Sequence, residues 1–230
     1  MGFHLCISLY PEKDTKRYEE LMFCLHQNIN LSEIKKIHIF DEGVTHSSLQ
    51  ALSPKISIYP IYERPTYHDF FKFANEHLIG EKVIIANSDI FFDSTLALIL
   101  DHPFENIVFA LTRYNLKKYL THLGKPWERH HGSQDAWIFL SPIKEFYSDI
   151  KLGWFGCDNW IAWEMHAAGL QVSNPSLSIF TWHVHENPKK EKTGVPIGAG
   201  NYHSQIRGSD GTWLKGKFLP LLRLKDIQST

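Results

Sequence analysis

Lys82-Val83-Ile84-Ile85-Ala86-Asn87-Ser88-Asp89 is the stretch whose reading decides the fold. Four apolar residues in a row suit a short strand buried on both faces, and such strands belong to parallel sheets covered by helices. The run empties directly into Asn87-Ser88-Asp89, which sets a polar, acidic turn at the strand's carboxyl end. In open α/β sheets, ligands sit beyond those ends.

Working outward, the same alternation continues. Phe3–Tyr10 is an apolar run closed by Pro11, and Thr15–Asn28 places Tyr18, Leu21, Met22 and Leu25 at helical spacing. Ile37–Phe40 is a second strand ending at Asp41-Glu42-Gly43, and Ile56–Ile61 a third, bounded by prolines. Thr66–Leu78 carries Phe70, Phe71, Phe73, Ala74 and His77 in a helical pattern. Downstream, Asn106–Leu111 and Ala136–Leu140 read as strands. Asp158–Gly169 reads as a helix stopped by its glycine, and Ser178–Val184 as a further strand. Strands alternating with helices predict an α/β fold, a mainly parallel mixed central sheet flanked by helices. Asn187–Gly200, rich in Lys, Pro and Gly, reads as a mobile loop, and a weakly amphipathic tail with Trp213, Phe218 and Leu219 follows. With no repeat and no linker, residues 1–230 are expected to form one domain.

Bulk properties narrow the function. The 230 residues are 43% hydrophobic and 21% charged, enough for one substantial core. Lys and Arg number 24 against 25 Asp and Glu. That balance lacks the basic excess of a nucleic-acid partner. Cys6, Cys24 and Cys157 are odd in number and lack CxxC spacing, so a reducing, cytoplasmic setting is expected rather than a disulfide framework. No stretch reaches the roughly 18 apolar residues of a membrane span. A peripheral membrane contact stays open.

Several polar clusters could carry chemistry. Asp89 at a strand end suits Mg²⁺ or Mn²⁺, which bind through one or two carboxylates plus substrate phosphates; as a bare residue it equally suits a turn or cap. Asp93 follows as a second ligand or a structural cap. In Trp154-Phe155-Gly156-Cys157-Asp158, Asp158 opens a helix as its cap or serves as a general base, with Gly156 allowing close approach. Strand alternation puts His183 and His185 on one face, open to metal or diphosphate. Gln134 and Asp135 precede a strand and are candidates for the acceptor side, together with Trp154. Arg64 and Arg113 are candidates for donor phosphate contacts, because guanidinium matches phosphate geometry; either also suits an ion pair.

The order of these pieces resembles the GT-A glycosyltransferase superfamily, the nucleotide-diphospho-sugar transferases of the family 2-like type. Phe70-Phe71-Lys72-Phe73-Ala74-Asn75, then Val83 to Asp89, looks like the donor half, in which a helix bearing an Asn precedes a strand ending in the metal-binding DxD motif. Here the motif is Asn87-Ser88-Asp89, with an amide in place of its first carboxylate. Gly156-Cys157-Asp158 and the following helix resemble the acidic base motif, with Cys157 where many members carry a second acid. Ile179–His185 resembles the ending in which a strand delivers a metal-binding His.

The resemblance implies a donor half at 1–100, an acceptor and catalytic half at 101–188, and a loop and tail at 189–230. It implies a nucleotide sugar as donor, UDP- or GDP-linked, and a glycan, lipid-linked or small-molecule acceptor. Asp41 or Glu42 would contact the nucleoside with Asn75 in support, and Asn87 and Ser88 would line the donor site. Asp89 and one of His183 or His185 would hold the divalent metal, Mn or Mg. Asp158 would deprotonate the acceptor hydroxyl, with inversion, and Lys189, Lys190 and Lys192 would close over the diphosphate. The degenerate Asn87 and Cys157 keep a catalytically silent nucleotide-sugar-binding protein as the main alternative. A metal-dependent hydrolase built on His130, His131, His183 and His185 is the lesser one.

Overall fold

The computed structural model describes residues 2–43, 47–116, 133–153, 156–184 and 219–227. The elements run β1 (Phe3–Leu9), α1 (Thr15–Asn30), β2 (Ile34–Asp41), α2 (Ser47–Gln50), β3 (Ile56–Pro60), α3 (Tyr67–His77), β4 (Lys82–Ala86), β5 (Ile90–Phe92), β6 (Ile107–Leu111), β7 (Arg113–Leu116), β8 (Ala136–Leu140), α4 (Cys157–Ala167), β9 (Gln171–Ser173) and β10 (Thr181–Val184). A seven-stranded sheet has the order β3-β2-β1-β4-β8-β6-β9, and β5-β10-β7 form a smaller one. In the large sheet only β8 runs against its neighbours, pairing antiparallel with both β4 and β6. The fold is the mainly parallel α/β sheet that the alternation predicts.

Each strand's period-two alternation divides the core between the two faces. Cys6, Val83, Ile85 and Trp137 pack with α3 and α4. Leu5, Ile7, Ile84 and Ile138 point the other way, into the cluster that includes Leu25 of α1. That is why the strands read as unbroken apolar runs. Helix starts follow from local chemistry. Asp14 caps α1, accepting from the backbone of Lys16 and Arg17, and Thr66 with Asp69 forms a capping box on α3. Gly169, at φ +87°, ends α4, its N–H donating to the His166 carbonyl.

Short elements escape the sequence reading. Strands β5, β7 and β9 have three or four residues each, too few for a periodic signal. Between β5 and β6, a 3₁₀ helix at Ser94–Ile99 is capped by Asp93, whose other carboxylate oxygen accepts from the Trp182 indole. Asp93 is therefore the structural cap of its two expected roles. All three cysteines are free and buried. Among the described residues no helix is long and apolar enough to cross a membrane.

Candidate active site

Strand order fixes where a ligand can enter. From β1 the chain builds outward through β2 to β3, then returns to lay β4 on the other side of β1. The connections diverge between β1 and β4, which opens a crevice at their carboxyl ends. Tyr10 follows β1 and Asn87-Ser88-Asp89 follow β4, so both flank that crevice.

Asp89 is tightly engaged. Its Oδ2 accepts from Arg17 Nη2 of α1 and lies 3.1 Å from His183 Nε2 of β10. Burial by itself would raise this carboxyl, but hydrogen bonding and charge from His183 and Arg17 outweigh it and hold it well below the usual range. Arg17 also donates from Nη1 to Glu20 Oε2 at 2.8 Å and to the Val184 carbonyl at 3.0 Å. The second ring nitrogen of His183, Nδ1, sits 2.9 Å from Asn115 Oδ1. An imidazole whose Nδ1–H is held by an oxygen presents Nε2 as a ligand.

This pair fits a divalent cation. Adjacent ligands of an octahedral Mg²⁺-like ion are about 3 Å apart at the usual bond lengths, which matches Oδ2 and Nε2. Among the described residues no group of three His, Cys, Asp or Glu converges to hold a metal. A two-ligand site is the kind completed by phosphate oxygens and water.

A second cluster lies alongside. Because β8 runs antiparallel to β4, its first residue, Ala136, pairs with Ala86 at the carboxyl end of β4. That brings the preceding Asp135 to the ligand-binding edge. Asp135 is buried and accepts from Arg113 Nη1 at 2.6 Å, Asn87 Nδ2 at 3.0 Å and Ser133 Oγ at 3.4 Å. Asp158, in the first turn of α4, accepts from the Cys157 thiol at 3.1 Å and from the Gln134 backbone. Burial and the neighbouring Asp135 push its carboxyl up to about 8, opposed by the Cys157 hydrogen bond and the Arg113 charge. Gly156 holds the N-cap of α4 in the left-handed region at φ +78°.

The donor-side candidates divide. Asp41 ends β2 with its Oδ1 accepting from the Gly43 N–H at 2.7 Å. Glu42 beside it has a buried Oε1 without a hydrogen-bond partner among the described residues, an unmet acceptor at the crevice rim. Arg64 lies over the Tyr10 ring and donates from Nε to the Leu152 carbonyl at 3.0 Å. Its Nη2 is 2.8 Å from where a Cβ on Gly153 would stand, and Asn87 Oδ1 is 3.9 Å from the same point. Arg64 therefore ties Tyr10, after β1, to the turn at Leu152-Gly153, which lies close to Asn87.

Asn75 departs from its expected place. It lies near the C-terminus of α3, at the opposite end of the sheet, with both ends of its amide bonded to the backbone of Ile143. Its role there is to hold the turn after β8, so it does not support a nucleoside at this crevice. Ser88 occupies the turn, half-buried. Trp154, His130, His131, His185 and the Lys189–Lys192 loop lie outside the described residues.

Three participants had no prior assignment: Tyr10, Arg17 and Gly153. Arg17 carries a sequence signal. Lys16 and Arg17 open α1, and no acid lies in its first turn. Cations there oppose the helix macrodipole, so an Arg in that position asks for a partner from elsewhere.

A search of family models found no match, and no curated protein matches. Solved structures do. S. aureus TarS 1-349 in complex with UDP-GlcNAc has a TM-score of 0.59 at 12% identity, covering 90% of this chain and 65% of that one. The UDP complex of the same TarS fragment gives 0.52 at 13% identity, covering 80% and 61%. GalNAc-T7 with UDP, GalNAc and Mn²⁺ gives 0.55 at 10% identity, covering 87% and 47%. The chain thus spans under two thirds of the length of each. At such identities the likeness speaks for architecture, and the architecture this chain shares with them is the GT-A glycosyltransferase fold.

Proposed function

We propose that this chain is a glycosyltransferase, moving a sugar from a nucleoside-diphosphate donor to an acceptor hydroxyl with inversion. The observation that carries the reading is one juxtaposition at the sheet's switch-point crevice. There the Asp89–His183 pair, 3.1 Å apart, and a separate acid, Asp158, raised by its surroundings, both act on the Arg113 guanidinium.

In this reading the nucleoside lies over the ends of β1 and β2, against Glu42 and the Tyr10–Arg64 stack. Asp89 and His183 hold a divalent metal, Mn or Mg, which when bound neutralises charge developing on the leaving diphosphate. Asp158 takes the acceptor's proton as that oxygen attacks the anomeric carbon and the bond to the diphosphate oxygen breaks. Asp135 raises the basicity of Asp158 while Arg113 keeps the acid pair from carrying two uncompensated charges. The domain acts as one unit, and its free thiols suit the cytoplasm. UDP- and GDP-sugars are the donors to try.

The test is a thermal-shift screen of UDP- and GDP-sugars, each with and without Mn²⁺, on the native chain and Asp89→Ala. A ligand at a hundredfold its Kd adds about 2.7 kcal/mol of apparent stability. A metal-dependent shift for one donor, absent in Asp89→Ala, is the expected result. No shift with any donor, in protein shown to be folded, would refute the reading. Binding without transfer to any acceptor would favour a silent sugar-nucleotide-binding protein.

A further inference from the structure

Arg17 is the residue that the reading above leaves without a task. It reaches from α1 to the same atom, Asp89 Oδ2, that faces His183 Nε2. Its other nitrogen is fixed twice, by Glu20 and by the Val184 carbonyl at the end of β10. The side chain is only 17% exposed and Asp89 14%, so water screens this ion pair poorly. A lone pair that accepts from a guanidinium is not free to ligate a cation, and two cations on one oxygen repel each other.

We propose that Arg17 belongs to the donor site, as the resident cation of Asp89 that makes divalent metal and diphosphate enter together. In protein carrying no metal, Arg17 satisfies Asp89 and opposes uptake of the bare ion. A diphosphate brings the negative charge that compensates both cations, so each ligand strengthens the other. Linkage makes that coupling reciprocal. The proposal rests on the Asp89–His183 pair being the metal site.

The experiment titrates Mn²⁺ alone into the full chain, following loss of the free-ion EPR signal, and repeats the titration with UDP or GDP present. The proteins are the native chain, Arg17→Gln, Arg17→Gln/Glu20→Gln and Asp89→Asn. The double variant also removes the Glu20 carboxylate that accepts from Arg17 Nη1, and it carries the test if the single variant is unstable. Removing Arg17 is expected to tighten Mn²⁺ binding in the absence of nucleotide, and to shrink the nucleotide's enhancement by about 5–150-fold, the usual span of such couplings. Equal or weaker Mn²⁺ binding without Arg17, with binding abolished in Asp89→Asn, overturns the role of Arg17 and leaves the metal pair standing. No uptake by any of the four proteins, with or without nucleotide, overturns both.

Discussion

Asn87 donates its side-chain amide to Asp135 Oδ1 at 3.0 Å, and that contact accounts for the amide at the first position of the Asn87-Ser88-Asp89 turn. Asp135 is already buried beside Arg113 and lies close enough to raise Asp158. A carboxylate at position 87 would face it with a like charge. The amide therefore suits this neighbourhood, where it offers a buried carboxylate a neutral donor.

Asn87→Asp is accordingly expected to harm the protein even though it completes a DxD sequence. It removes a donor from a buried carboxylate and adds repulsion, a loss of about 1–3 kcal/mol. Asn87→Ala, which only removes the donor, should cost less. Denaturant unfolding of the two variants at neutral pH measures the order, and an Asn87→Asp variant as stable as the native chain would refute the account.

Asp158→Asn should lower transfer about 10²–10⁴-fold, the usual worth of a general base, while leaving donor binding intact. The base must be ionised, so native kcat/KM should rise with pH through about 8, where Asp158 titrates. The stability sign is opposite. A carboxyl raised in the folded state stabilises below its unfolded value and loses that contribution as pH rises through its folded one. Asp158→Asn should then be more thermostable than the native chain at pH 8, with the difference vanishing near pH 4.

Gly153→Ala tests the Arg64 seat. The backbone there has φ +79°, and the new Cβ would stand 2.8 Å from Arg64 Nη2. The left-handed conformation costs a non-glycine residue about 1–2 kcal/mol, and Arg64 must also shift. Donor affinity should fall in Gly153→Ala and in Arg64→Ala, and the double variant should lose less than the sum. Strict additivity in donor titrations would mean the two positions act independently.

Acid sensitivity is expected from the far end of the sheet. His4 Nδ1 and His38 Nε2 lie 2.9 Å apart, and His38 Nδ1 lies 3.2 Å from the Tyr59 hydroxyl. Burial, then the His4 charge, pushes His38 down to about 3, and burial lowers His4 as well. His38 stays neutral in the folded chain down to about pH 3, whereas in the unfolded chain it takes up a proton below about 6.5. Stability present above that pH should drain away between about 6.5 and 3, at up to about 1.4 kcal/mol per pH unit for each proton. His38→Phe should flatten the dependence of urea-derived stability on pH across that window. An unchanged slope would rule out His38 as its source.

Much of the architecture was legible because burial on two faces leaves a strong local mark. Lys82–Ala86 and Ala136–Leu140 emerge with the bounds their apolar runs suggest, and the longer helices fall within a residue or two. Within the candidate site, Asp89 and His183 stand out in the sequence as polar residues at strand ends, which the fold sets 3.1 Å apart, and Asp158 as an acid opening a helix. Asn75 was misplaced because a helical Asn reads the same whichever end of the sheet it serves. Arg17 escaped because its partners in the site, Asp89 and Val184, lie 72 and 167 positions away.

What the sequence determined by itself is the set of local patterns: two-sided apolar strands, amphipathic helices, their caps and stops, and acids at strand ends. These are fixed by neighbours within a few residues and by the period of each element. Tertiary structure alone decided that β8 runs backwards, which carries Asp135 to the carboxyl end of β4 and into contact with Asn87 and Arg113. It also decided that α1 would bring Arg17 onto Asp89. Both outcomes depend on strand direction and helix placement, set by how the whole core packs, and no local window of the chain encodes them.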